Sequence, residues 1–276
     1  EYPEEYGDSN HYGPVFALVI APFALLPDAL GTTLWNIANA LILCIGFYSL
    51  PLPLRTRSII ALLCAHEALV AMLSFQFNVG LTGLIMISFS YLHNGKEVKS
   101  AIAIALGTLI KLYGIVGLAF FFFSKNKLKL ILSGLIALIA LVILPAILSS
   151  PEFIVRSYTD WFISLKEKNM QNVSLNSMQD ISFMGMVRRI MQDASIPNLP
   201  FLIGGLSLFF LPYARISQYQ YKTYRLMLLA SVLIFTVIFS SGSESPTYII
   251  AFAGVSIWFM IQEFPGSKGI LFLFVF

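Results

Sequence analysis

Apolar residues run in long blocks along this chain, and the polar positions that interrupt them are few and grouped. Runs at about 29–50, 58–75, 79–92, 130–149, 200–213, 226–241 and 247–262 predict membrane-spanning helices. At 1.5 Å per residue, about 20 residues cross a hydrocarbon core roughly 30 Å thick. The block from Gly13 to Leu26 is too short to cross and predicts a re-entrant or juxtamembrane helix over 13–27, interrupted by Pro22 and ended by Pro27-Asp28. The run 100–123 admits two readings: one helix with Lys111 at its centre, or two short helices that meet there. Strand-type alternation is absent, which argues against a membrane barrel. The predicted class is all-α, a polytopic transmembrane bundle.

Loop charge decides the fate of 100–123. Arg55/Arg57, Lys96/Lys99, Lys125/Lys127/Lys129, Arg215/Lys222/Arg225 and Lys268 belong on the cytoplasmic side. The loops at 76–78, 150–199 and 242–246 then face outward. For Lys99 and Lys125 to share a side, the chain must go out and return within 100–123. Lys111 thus marks the turn of a broken hairpin near the outer face. There it avoids the roughly 2.5–3.5 kcal/mol that a lysine at a helix centre costs on insertion scales.

Composition agrees with a membrane protein. Of 276 residues, 58% are hydrophobic and 11% charged, and the mean hydropathy is +0.81. A soluble domain carries about a quarter charged residues, so no water-facing surface can be built from this supply. The net charge of +3 resides in the short loops; no basic patch interleaved with aromatics points to nucleic acid. Cys44 and Cys64 lie in apolar runs and read as packing residues. His11, His66 and His93 lack ligand spacing; His66 reads as an interior histidine with its partner nearby. No phosphate-binding Gly-rich loop or nucleophile elbow occurs.

The chain reads as a single integral membrane domain over 1–276. It comprises an outer loop (1–12), the helix at 13–27, spans within 29–149, an outward segment (150–199) and further spans (200–276). It begins without Met and ends in "GILFLFVF", so it is expected to be a piece of a longer protein lacking a first span. Within 150–199, Ser150-Pro151 starts a helix whose Ile154, Tyr158, Trp161 and Leu165 form an apolar stripe suited to the membrane interface. Arg188-Arg189 fall on a short helix further on.

The polar residues that break the apolar pattern gather at the outer side: Glu67, Gln76, Asn78, Lys111, Tyr113, Glu244 and Tyr248, with Gln179, Asp180, Arg188 and Arg189 above them. Intramembrane ionisable groups are functional candidates because an unpaired one is costly. The bland reading is a structural Glu67–Lys111 pair with hydrogen-bonded amides. A transporter or flippase for lipid-linked saccharide is the competing class, with a broken helix and a cation for an anionic substrate; the chain shows no internal repeat to favour it.

The succession "YGPVFALVIAPFALLP", "LWNIANALIL", "FQFN" and "GTLIKLYG" resembles the bacterial glycosyltransferase family 87. That family commonly shows Tyr-Pro-Pro, Gln-x-Asn and Gly-x-x-x-x-Lys-x-x-Pro, where this chain has Tyr12-Gly13-Pro14, Gln76-Phe77-Asn78 and Lys111-Leu112-Tyr113-Gly114. Two prolines are replaced by glycine. The resemblance implies a C-type membrane glycosyltransferase fold with a juxtamembrane helix at 13–27 and a site facing the periplasm across the inner membrane. It implies transfer of a hexose, mannose in this family, from a polyprenyl-phosphate donor to the hydroxyl of a glycan or glycolipid acceptor. No cofactor is implied. By that resemblance Lys111, Arg188 and Arg189 bind the donor phosphate, while Tyr12, Glu67, Gln76, Asn78, Tyr113, Gln179, Asp180, Glu244 and Tyr248 line the substrate site. The general base, an Asp upstream of the Tyr-Pro-Pro element, is expected to precede residue 1, since Asp8 stands too close to Tyr12.

Overall fold

The computed structural model describes residues 11–175 and 179–262; Asp8 and Lys268 lie outside them. The described residues are helical throughout, without strands. Helix α1 (Val15–Ala24) is about 15 Å long, too short to cross a bilayer, and packs on α2 (Asp28–Ser49). Pro22 sits inside α1 and does not end it. Helices α3 (Leu54–Leu63) and α4 (Ala65–Leu73) form a consecutive apolar pair bent by 47° at Cys64. Then come α5 (Asn78–His93), α6 (Glu97–Ile110) and a 3-10 helix over Leu112–Phe123. After α7 (Lys127–Ile143), the next segment holds α8 (Pro151–Asn172) and α9 (Phe183–Met191). Helices α10 (Leu199–Phe210), α11 (Lys222–Ile238) and α12 (Tyr248–Ile261) complete the bundle.

Among the described residues two helices, Asp28–Ser49 and Lys127–Ile147, are long and apolar enough to cross a membrane alone, and the bent α3–α4 pair is so only when its two halves are taken together. The other expected spans are helical close to their predicted bounds, with α5 at 78–93, α11 at 222–238 and α12 at 248–261, each shorter than 18 residues. α5 is the central post, buried along nearly its whole length against α2, α6 and α12. Outward faces are mainly apolar, with Leu132, Ile136 and Ile139 on α7 and Leu34, Leu41 and Ile45 on α2 all exposed. A continuous surface of this kind is stable against lipid and not against water. The protein is a helical membrane bundle.

The run 100–123 is a hairpin, as loop charge predicted. Lys111 has extended backbone angles (φ −145°, ψ 126°) that end α6. The chain then returns antiparallel, so that Gly114 faces Gly107, Gly117 faces Ile104, and Ser124 and Asn126 come back to Glu97. The return arm is 3-10, which the sequence did not announce. Its 12 residues at 2.0 Å cover about 24 Å, against roughly 21 Å for the 14-residue α6, so the two arms are of similar length. Close approach of the arms requires a glycine at 114, where a Cβ would lie 2.2 Å from the Gly107 carbonyl carbon.

The hairpin gives the bundle two unlike ends. At one, Arg225 bonds the Tyr219 carbonyl (2.5 Å) and stands 5.3 Å from the Phe123 ring, and the short loops are basic. At the other stands Lys111.

Candidate active site at the Lys111 end

The floor of the site is the turn before α5. Phe75 carries a positive φ of 53°, uncommon for a bulky residue, and its carbonyl accepts from Trp35 Nε1 at 3.1 Å. The Phe77 N–H donates to the Tyr12 hydroxyl at 2.9 Å. With the turn held from both sides, Gln76 and Asn78 present their amides to the interior. Backbone strain of this kind persists where the surroundings over-determine it, and it clusters at functional sites.

From there a directed chain of hydrogen bonds crosses the site. Lys111 Nζ donates to Asn78 Oδ1 at 2.7 Å. Asn78 Nδ2 donates to Gln76 Oε1 (2.7 Å) and the Pro246 carbonyl (2.9 Å). Gln76 Nε2 donates to Glu244 Oε1 at 2.8 Å. Two amides thus stand between a cation and an anion that would otherwise pair directly. Asn78, fully buried, uses its oxygen and its amino group on protein partners. The ammonium lies 5.8 Å from the Tyr12 ring centroid and 5.4 Å from that of Tyr113, within cation–π range. Tyr113 is fixed in turn by Ser240 at 2.6 Å.

The segment "YGP" docks directly on the hairpin apex. Gly13 N–H donates to the Ile110 carbonyl at 3.0 Å, and a Cβ at Gly13 would sit 2.0 Å from the Leu109 oxygen. Both glycines that replace proline in the resemblance, Gly13 and Gly114, therefore occupy backbone-to-backbone contacts. Beside the apex a cavity of about 390 Å³ opens between α1 and α2, walled by Tyr12, Phe16, Phe23, Trp35 and Phe75.

The segment carrying α8 and α9 roofs the site. Trp161 Nε1 donates to the His11 carbonyl at 2.8 Å, and Ser164 meets His11 Nδ1 at 2.6 Å. Ile154 and Trp161 are therefore buried, and the stripe assigned to the membrane interface packs on protein. The Asn172 amide bonds the Ser241 carbonyl at 3.0 Å. Ile181 N–H donates to the Ser243 carbonyl, and Tyr248 donates to the Ile181 carbonyl at 2.7 Å, tying this segment to the loop that carries Glu244.

Three expectations require correction. Arg188 is 2% exposed and its guanidinium is taken by Asp180, by Asn198 Oδ1 at 2.5 Å and by the Ile196 carbonyl. It holds the roof together and offers no donor to a phosphate; Asp180, whose second oxygen accepts from Ser182, belongs to the same structural knot. The Glu67–Lys111 pair does not form. Glu67 lies in the first turn of α4, about 9 Å along the helix from its end, and contacts His66 at 3.3 Å. His66 is not interior: it points away from the bundle, 81% exposed.

Of the other candidates, Tyr12, Gln76, Asn78, Lys111, Tyr113 and Glu244 converge on one network. Arg189 bonds the Asp180 carbonyl, and Gln179 lies half-buried beside that pair. Ser240, the Pro246 carbonyl and Trp35 were missed. Each acts through a partner distant in sequence, and only the serine-rich stretch "SSGSES" hinted at one of them. Among the described residues no three His, Cys, Asp or Glu side chains could share a metal ion.

Residues 10–241 match the family model of glycosyltransferase family 87. The chain belongs to that family. No curated protein and no solved structure matched it. Membership decides between transferase and transporter: this glycosyltransferase moves a sugar from a donor to an acceptor, and the site just described is the place in its membrane bundle to look for that chemistry.

Proposed function

We propose that the enzyme transfers a hexose, mannose by family resemblance, from a polyprenyl-phosphate donor to an acceptor hydroxyl at the Lys111 end, facing the periplasm. The observation that carries this reading is Lys111 at a hairpin apex, with one hydrogen bond, among the described residues, for its three possible donors. In the reaction the bond between the sugar's C1 and the phosphate oxygen breaks as the acceptor oxygen bonds C1. The lipid phosphate leaves with a growing negative charge, which a preorganised ammonium stabilises in a low-dielectric pocket. Asn78 and the two tyrosine rings hold the ammonium in place. Arg189, half-buried above, is the second cation for the phosphate. The acceptor's proton passes to a general base that the resemblance locates upstream of Tyr12. The aromatic cavity beside Tyr12 suits the apolar chain of the donor.

Orientation is supported by charge. The short loops at 25–27, 74–77 and 239–247 carry no lysine or arginine, whereas those at the other end carry Arg55, Lys96, Lys125, Lys127, Lys222 and others. Positive short loops stay in the cytoplasm.

The test is Lys111→Met, which keeps the apolar stem and removes the charge, assayed in membranes with radiolabelled polyprenyl-phosphate mannose. Transfer should fall by about 10²-fold or more, the usual cost of losing one charge-stabilising group, at unchanged expression. Full activity would make the lysine structural and refute the phosphate role.

A further inference from the structure

A second cavity, of about 480 Å³, lies between α10, α11 and α12 at the basic end. Leu208, Leu211, Met227, Leu228 and Trp258 form its walls, and Arg215 stands in its lining. Leu208 and Leu211 are exposed on the lipid-facing surface, so the cleft opens sideways into the membrane. This size falls within the ordinary range for small-ligand sites.

Its cation is the distinctive element. Nearby basic side chains already have work: Arg225 bonds the Tyr219 carbonyl and stacks on Phe123, Lys127 donates to the Ser124 carbonyl, and Arg57 donates to the Tyr48 carbonyl at 2.6 Å. Among the described residues no hydrogen bond or ion pair engages the Arg215 guanidinium, which is exposed directly after the 3-10 turn Leu211–Ala214. Tyr224, also in the lining, donates its hydroxyl to the carbonyl of Pro212, another lining residue. Lys222 adds an exposed charge close by. Among the described residues the cleft lining holds no carboxylate, and Glu97 is buried against Ser124 and Asn126.

We infer that this cleft binds an anionic phospholipid of the leaflet at the basic end, its phosphate on Arg215 and an acyl chain along the apolar wall. A planar fork of donors suits a phosphate better than a point charge does, and basic pockets between spans recognise anionic head groups in this way. The ligand is distinct from the sugar donor: the return arm of the hairpin, about 24 Å long, separates Lys111 from the Phe123–Arg225 contact at this end. The inference holds whichever sugar the enzyme transfers.

The test uses the full chain, delipidated in detergent and supplied with dioleoyl phosphatidylglycerol or dioleoyl phosphatidylcholine, with bound lipid counted by native mass spectrometry. The wild type should retain phosphatidylglycerol in preference. Arg215→Ala should weaken that retention about fivefold, the worth of one arginine at an anionic surface. Met227→Trp, which fills the cleft from a half-exposed position, should abolish it, and Lys129→Ala, an exposed cation elsewhere on the same end, should leave it unchanged. Equal retention of the two lipids would show simple filling by acyl chains and overturn the inference. So would Arg215→Ala or Met227→Trp behaving as wild type, or a cleft occupied by a second copy, seen as a dimer that Met227→Trp dissolves.

Discussion

Gly107 and Gly114 face each other across the hairpin, yet alanine at the two positions should have opposite consequences. A Cβ built on Gly107 meets its nearest atoms at 3.4 Å, ordinary van der Waals contact. A Cβ on Gly114 falls 2.2 Å from the Gly107 carbonyl carbon, 2.3 Å from the Thr108 nitrogen and 2.7 Å from the Gly107 Cα. These are backbone atoms of α6 and cannot rotate aside, so the arms must part by roughly 1 Å to reach a normal contact. Overpacking of this kind costs about 1–3 kcal/mol, or roughly 2–5 °C of melting temperature for a chain of this size. The displacement acts three residues from Lys111, and misplacing a catalytic group by 1 Å can cost about 10²-fold in rate. Gly114→Ala should therefore lower both the melting temperature, by scanning fluorimetry in detergent, and transfer in membranes. Gly107→Ala should stay within about 1 kcal/mol and near full activity. If the two variants cannot be told apart in either assay, the hairpin contact is not what positions the lysine.

Other outcomes follow from the same geometry. In a chain lacking Cys44 and Cys64, cysteines at Ser174 and Lys125 should label oppositely with a membrane-impermeant thiol reagent on intact cells; equal labelling would undo the hairpin topology. Arg188→Ala should cost about 3–5 kcal/mol by leaving the Asp180 carboxylate buried and uncompensated, and pairing it with Asp180→Asn should recover part of the loss; a stable variant with weakened donor binding would return Arg188 to the phosphate. Glu244→Gln should keep the fold but slow transfer about tenfold, since the bond from Gln76 loses the charge that fixes the amide chain; normal turnover would reduce Glu244 to a solvated turn residue.

Much of the fold was legible because a bilayer imposes simple rules. Apolar runs located the helices, and alternating loop charge required 100–123 to double back at Lys111. The same pattern brought Gln76, Asn78, Tyr113 and Glu244 to one end before any contact was known. Pairing was not legible. Opposite charge suggested Glu67 for Lys111, but a helix rise of 1.5 Å per residue leaves Glu67 too deep, and neutral Asn78 makes the contact. Arg188 looked available because adjacent arginines on a short helix usually reach solvent; its fate depends on Asp180 and Asn198, which only the folded loop brings together. The 3-10 form of the return arm was equally hidden, because its residues would serve as well in an α-helix.

Neither arm of that hairpin is as long as a bilayer's hydrocarbon core is thick, about 21 and 24 Å against roughly 30 Å. A membrane accommodates short elements by thinning around them, so the leaflet on the Lys111 side should dip where the apex stands. A phosphate tethered to that leaflet by its own lipid tail would be lowered toward the ammonium by the depression itself, an advantage that a water-soluble sugar nucleotide could not share. The thickness of the surrounding lipid thereby becomes a determinant of how readily a donor meets the lysine.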